Sequence, residues 1–113
     1  MPNTSLRALP EEFSRIINLN FSELKEGVIA TGATEVRTVA LLLHNGNLMA
    51  FSPICPHAGV ALCDGWMDAR GQVVCPAHGY RFNPANGYNS SGEGYKLRTF
   101  QVRLKENIIF VAV

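Results

Sequence analysis

The apolar positions of this chain fall into short runs, and turn residues separate them. Val36 to Leu43 is rich in β-branched and aliphatic residues, His44-Asn45-Gly46-Asn47 interrupts it, and Leu48 to Phe51 resumes the apolar character. Asn45-Gly46 is the strongest hairpin signal in the chain, because both residues tolerate the positive φ of a type I′ turn. A second hairpin is predicted where Gly65 to Asp68 and Gln72 to Val74 flank Ala69-Arg70-Gly71. Asn83-Pro84-Ala85-Asn86-Gly87 reads as another turn, and Asn89 to Gly94 as a flexible Ser/Gly loop. Leu97 to Leu104 alternates in part, with Leu97, Thr99, Gln101 and Arg103 on one side and Arg98, Phe100, Val102 and Leu104 on the other. Ile108 to Val113 makes a last strand after Glu106-Asn107. The helical candidate, a turn around Ser22 to Glu26, is too short to organise a fold. Short strands joined by tight turns predict an all-β protein, an antiparallel sandwich or barrel.

Composition narrows the function classes. At 113 residues the chain is read as one domain, 1–113, with a real core and no room for a second scaffold. The net charge is +1, and Lys and Arg are scattered among Asp and Glu, so no basic stripe exists to neutralise nucleic-acid phosphates. Arg7, Glu11, Glu12 and Arg15 interrupt any apolar stretch of a secretory leader. No run approaches the roughly 18 apolar residues that suggest a membrane span. These features predict a cytoplasmic protein with reduced thiols that binds neither nucleic acid nor membrane.

Two short clusters carry the chemistry. Cys55-Pro56-His57 and Cys75-Pro76-Ala77-His78 are separated by the seventeen residues Ala58 to Val74, and each is followed at once by a glycine, Gly59 or Gly79. Glycine lets the backbone turn just beyond each histidine at a φ that would strain a side chain. Of three cysteines and three histidines in the whole chain, four lie in these clusters, so a metal site explains them better than a disulfide framework. Tetrahedral zinc is one occupant that two cysteines and two histidines suit. Zinc fingers, however, usually give each arm two like ligands, whereas each arm here mixes one Cys with one His. A mixed arm suits a two-iron cluster, one iron taking both thiolates and the other both imidazoles. Cys63, among Val60, Ala61, Leu62 and Trp66, reads as a buried spectator packed as a small hydrophobe. His44 reads as a solvated residue at a hairpin end, and Trp66, Tyr80 and Phe82 as core aromatics.

The string Cys55-Pro56-His57-Ala58-Gly59 with Leu62 downstream, followed by Cys75-Pro76-Ala77-His78-Gly79-Tyr80-Arg81-Phe82, resembles the signature of the Rieske [2Fe-2S] family. The resemblance extends over the chain after about residue 15, with the Val36 to Phe51 hairpin leading into the first loop and the Leu97 to Val113 strands following the second. It implies a Rieske-type antiparallel β-sandwich with a small cluster-binding subdomain, about 53–82, at its tip. It further implies one [2Fe-2S] cluster per chain, with Cys55 and Cys75 on the buried iron and His57 and His78 on the iron nearer the surface. High-potential relatives carry an extra cysteine in each loop and hydroxyl donors to the cluster sulfurs. This sequence has Val60 and Ala77 in place of those cysteines, Tyr80 in place of the serine and Phe82 in place of the tyrosine. Fewer hydrogen bonds to sulfur leave the reduced state less stabilised, which points to the low end of the class range of about −150 to +300 mV. The Ser90-Ser91-Gly92-Glu93-Gly94 loop lacks the proline that covers the cluster in many members. Glu93 there reads first as a solvated loop acid, and second as a carboxylate beside the cluster.

The function implied is a low-potential one-electron carrier of the ferredoxin type, not an enzyme by itself. Once the four ligands are assigned only His44 is left, so no 2-His-1-carboxylate set remains for oxygenase chemistry. The implied partners are a flavoprotein reductase and a terminal oxygenase, docking transiently near His57 and His78 on a monomer. The alternatives are a small Rieske subunit of a larger oxidoreductase such as a nitrite reductase-like complex, and a zinc-stabilised interaction module. Arg81, Lys96, Arg98 and Arg103 read as solvated strand residues.

Overall fold

The computed structural model describes residues 13–57 and 59–113. Arg7, Glu11 and Glu12, used above against a leader, and Ala58 of the first cluster lie outside the described residues. Among the described residues the regular structure is almost all short strand, in three antiparallel sheets. One contains β1 (Phe13–Arg15), β10 (Ile108–Ala112) and β9 (Val102–Lys105), in that order. The second is ordered β2 (Ala30–Ala33), β3 (Thr38–His44), β4 (Asn47–Phe51) and β8 (Thr99–Phe100). The third, β5 (Trp66–Met67), β6 (Val73–Val74) and β7 (Arg81–Phe82), is the small sheet whose β6–β7 connection carries the second Cys/His loop, the first lying between β4 and β5.

The central strand explains why the longest apolar run does not alternate. Val39, Ala40, Leu41 and Leu42 on β3 are all fully buried, because both faces of the strand are covered. Val39 and Leu41 join Ile16, Ala50, Ile109 and Val111 in one core. Ala40 and Leu42 join Phe51, Leu62, Val73, Phe82 and Leu97, together with Cys55 and Cys75, in the other. The second core places the two thiols on the apolar floor of the small sheet.

The predicted hairpins form where the turn residues mark them. Asn45 (φ 52°) and Gly46 (φ 80°) make the reversal between β3 and β4, whose register runs from His44 opposite Asn47 to Ala40 opposite Phe51. The Asp68 to Gln72 reversal joins β5 to β6, with Gly71 at φ 81° and the Asp68 N–H donating to the Gln72 carbonyl at 2.8 Å. Glu106 and Asn107 turn at positive φ without glycine. Asn107 is held there by tertiary hydrogen bonds: its Oδ1 accepts from the Ser22 N–H at 2.7 Å, and its carbonyl accepts from the Phe21 N–H at 2.9 Å.

Three local expectations are corrected. Leu97 to Leu104 is not one strand; it breaks at Gln101 into β8, which pairs with β4, and β9, which pairs with β10, so the chain crosses between sheets there. The helical turn is a single 3₁₀ turn at Phe21–Glu23, closed by the Asn20 N–H donating to Glu23 Oε2 at 3.0 Å. His44 is half-buried instead of solvated: its Nδ1 is shut off from solvent without a hydrogen bond, 3.4 Å from Glu26 Oε2, and its ring faces Gly71.

Candidate metal centre

Two loops of nearly identical backbone design converge at one end of the small sheet. In the first, the Cys55 N–H donates to the Val60 carbonyl at 2.8 Å, and the Gly59 N–H donates back to the Cys55 carbonyl at 3.0 Å. In the second, Cys75 pairs with the Tyr80 carbonyl at 2.9 Å and Gly79 with Cys75 at 3.0 Å. Gly59 and Gly79 close these loops at φ 68° and 74°, and a Cβ on either would meet nothing within 4 Å. Backbone conformation, not space, therefore demands glycine at both. The histidine sits two residues after the cysteine in one loop and three after it in the other, so matched turns present their imidazoles differently.

The four residues singled out in the sequence come together. Cys55 and Cys75 are 1% and 0% exposed, whereas His57 is half-buried and His78 exposed. Cys55 Sγ lies 3.0 Å from His57 Nδ1, and His57 Nε2 lies 2.8 Å from His78 Nδ1. One donor atom from each of Cys55, His57 and Cys75 falls within a 4.8 Å sphere of mutual distances. Two soft thiols on an apolar floor and two imidazoles on the solvent side form a donor set that fits a metal centre with sulfur ligation inside and nitrogen ligation outside.

Aromatic and polar residues frame this set. Tyr80 stacks on the His57 ring, centroids 3.8 Å apart with an interplanar angle of 26°. Tyr95 closes the far side, 5.7 Å from His57 and 5.9 Å from Tyr80. Phe82 is fully buried, as expected of a core residue, but Trp66 is 52% exposed and is not core. Cys63 is half-buried, and its Sγ accepts the Thr31 hydroxyl at 3.0 Å, so it is not the sealed apolar spectator the sequence suggested.

Arg81 is engaged, not merely solvated. Its Nε donates to Asp68 Oδ2 at 3.0 Å, while Asp68 Oδ1 accepts the N–H groups of Arg70 and Gln72, each at 2.9 Å. Partial burial raises the Asp68 pKa, but the N–H groups of Gln72 and Arg70 and the Arg81 guanidinium outweigh it, holding the carboxyl below its ordinary value.

The loop that reads as flexible is organised by Asn89, a polar residue only 3% exposed. Its Nδ2 donates to the Arg81 carbonyl at 3.0 Å and to Glu93 Oε1 at 2.9 Å, and its Oδ1 accepts the Tyr95 N–H at 3.3 Å. Asn89 and Tyr95 were not singled out from the sequence, where a Ser/Gly-rich stretch carries no periodic signal.

One Cys/His loop following β4 and a second joining β6 to β7 converge on an all-β scaffold, which defines a small β-protein with a mixed thiolate–imidazole metal site. The family model of the Rieske [2Fe-2S] domain matches residues 15–101, and the chain belongs to that family. The domain binds a [2Fe-2S] cluster. The chain is 27% identical over 73 residues to the ferredoxin component of the alkene monooxygenase system of Xanthobacter autotrophicus, covering 65% of this chain and only 60% of that relative's length. It is similar, at 26% identity and TM-score 0.74, to a chain in the complex of reduced oxygenase and oxidised ferredoxin of carbazole 1,9a-dioxygenase, covering 86% of this chain and 99% of that one. It also shares its fold, at 19% identity and TM-score 0.78, with a Mycobacterium tuberculosis protein assigned as an NADH-dependent nitrite reductase small subunit, covering 89% and 94% of the two chains. Among the described residues no helix is long and apolar enough to cross a membrane.

Proposed function

We propose that Cys55, Cys75, His57 and His78 hold one [2Fe-2S] cluster, with the thiolates on the buried iron and the imidazoles on the outer one, and that the protein is a one-electron carrier. When bound, such a cluster accepts and returns a single electron. The observation that carries this reading is the pairing of two sealed thiols with two surface imidazoles, one of them exposed. The buried pair keeps water from the sulfur side, and the imidazole pair brings the redox centre to the surface where a partner can approach.

The reading extends to a single domain, 1–113, with its cluster-binding part at about 53–82, acting as a monomer in the cytoplasm. Its donor is a flavoprotein reductase and its acceptor a terminal oxygenase. Support for the acceptor comes from the similarity to ferredoxin components of oxygenase systems and to a chain of an oxygenase–ferredoxin complex. Both partners would dock on the tip bearing His57 and His78, in the small, short-lived contacts typical of redox encounters. The fold likeness to a nitrite reductase small subunit supports a second reading, a fixed subunit of a larger oxidoreductase.

A redox titration followed by electron paramagnetic resonance tests the first reading. The expected result is a Rieske-type signal that titrates as one electron at the low end of the class range, from a protein that runs as a monomer. His57→Cys or His78→Cys should alter or abolish the signal, and His44→Ala should leave it unchanged. A colourless protein containing zinc would overturn the cluster reading, and isolation only within a larger stable complex would favour the second reading over the first.

A further inference from the structure

Glu93 sits in the Asn89 to Tyr95 loop, and it is tied to the backbone of Arg81 through Asn89 and Ser91, which also bond each other, Asn89 Nδ2 donating to Ser91 Oγ at 3.1 Å. Glu93 Oε1 accepts from Asn89 Nδ2 at 2.9 Å and from the Ser91 hydroxyl. Both donors also hold the backbone of Arg81: Asn89 Nδ2 donates to the Arg81 carbonyl at 3.0 Å, and Ser91 Oγ accepts the Arg81 N–H at 2.8 Å. Arg81 directly follows Tyr80, whose carbonyl accepts the Cys75 N–H and whose ring stacks on His57. The same loop ends on Tyr95, 5.7 Å from the His57 ring.

This arrangement anchors an exposed carboxylate on the loop whose Tyr95 packs toward His57, with no Lys or Arg paired to it among the described residues. Among the described residues the ion pairs are His44 with Glu26 and Arg81 with Asp68, so Glu93 has hydrogen-bond donors in contact but no cation. The Ser91 hydroxyl, and after it the Asn89 amide, hold the Glu93 carboxyl below its ordinary pKa. The side chain is therefore a carboxylate at neutral pH, exposed to solvent as the sequence suggests but held in place by two donors.

We propose that Glu93 is an electrostatic tuning residue that lowers the reduction potential of the centre held by His57. The proposal rests on the ligand assignment made above. One electron arriving at the site adds one unit of negative charge with no bond made or broken. A fixed carboxylate nearby repels that added charge and so favours the oxidised state. The effect acts through space and needs no hydrogen bond to the cluster sulfurs.

A charge series at position 93 tests the idea, with midpoints measured by redox titration under electron paramagnetic resonance at a fixed pH of about 7, well above the carboxylate range. Glu93→Gln keeps an oxygen to accept from Asn89 and Ser91 but removes the charge, and its midpoint should rise. Glu93→Lys should raise it further, and Glu93→Asp should stay nearer the wild type than Gln does. The gap between wild type and Gln should narrow as salt is raised from about 0.1 M to about 1 M, because the screening length falls from roughly 10 Å to 3 Å. A Gln midpoint equal to that of the wild type, an Asp variant that moves as far as Gln, or a gap that ignores salt would overturn the proposal while leaving the cluster assignment intact. A wild-type protein with no Rieske signal would overturn both.

Discussion

At the residue scale, the polar contacts around the site act as latches between segments far apart in sequence. Asp68 ties its own reversal together through the Arg70 and Gln72 N–H groups and ties it to β7 through Arg81. Because its folded-state pKa is depressed, Asp68 stabilises the fold above its unfolded pKa of about 3.9, and that contribution is lost as pH falls through the folded value. Asp68→Asn should cost on the order of 1–2 kcal/mol at pH 7, as expected for hydrogen bonds to a charged acceptor. Denaturant titrations of the two proteins should converge at acid pH; a deficit that persists there would mean the charge is not the source. The four proposed ligands were legible because each cluster is contiguous, and spacing alone exposes it. Asn89, Tyr95 and the fixed state of Glu93 were not, since they depend on contacts across a loop whose composition resembles a linker.

At the element scale, the hairpins were legible wherever a glycine had to turn. The break between β8 and β9 was not, because alternation continues through Gln101 while the pairing partner changes from β4 to β10. Glycines of one conformation serve two purposes, and substitution separates them. Gly79 lies at φ 74° with open space at the Cβ position, so Gly79→Ala carries backbone strain alone, about 1–2 kcal/mol. Gly87 lies at φ 81°, and a Cβ there would sit 1.9 Å from the Leu97 carbonyl oxygen, in a contact where the Leu97 N–H donates to the Gly87 carbonyl at 3.0 Å. Relieving that overlap means parting the loop from fully buried Leu97, so Gly87→Ala should cost at least about 3 kcal/mol. Thermal unfolding of the two variants measures the difference, and equal losses would remove the close-approach argument.

At the scale of the whole molecule, β3 separates the core beneath the proposed metal centre from a second core that holds none of the proposed ligands. The core containing Ala40 and Leu42 also holds Cys55, Cys75, Val73 and Phe82, whereas the core containing Val39 and Leu41 is filled by Ile16, just past β1, and from β4 and β10, without any proposed ligand. The continuous apolar run of β3 revealed a strand buried on both faces. It could not reveal that one face serves the proposed cluster site, because that depends on Cys55, Val73, Cys75, Phe82 and Leu97, all contributed by later segments of the chain. The small sheet has two-residue strands and few ladder hydrogen bonds, so the crosslink that the four proposed ligands would make through a bound cluster is expected to supply much of its order. The sheet of β1, β9 and β10 has no such dependence. Removing the iron with a chelator under reducing conditions should therefore unlock the protein unevenly. Hydrogen exchange should accelerate by at least about tenfold at Val73, Val74 and Phe82, which corresponds to a local loss of about 1.4 kcal/mol, while Ile109 and Val111 keep their protection. Uniform acceleration in both halves would show that the two cores unfold as one unit and that the cluster stabilises the entire molecule.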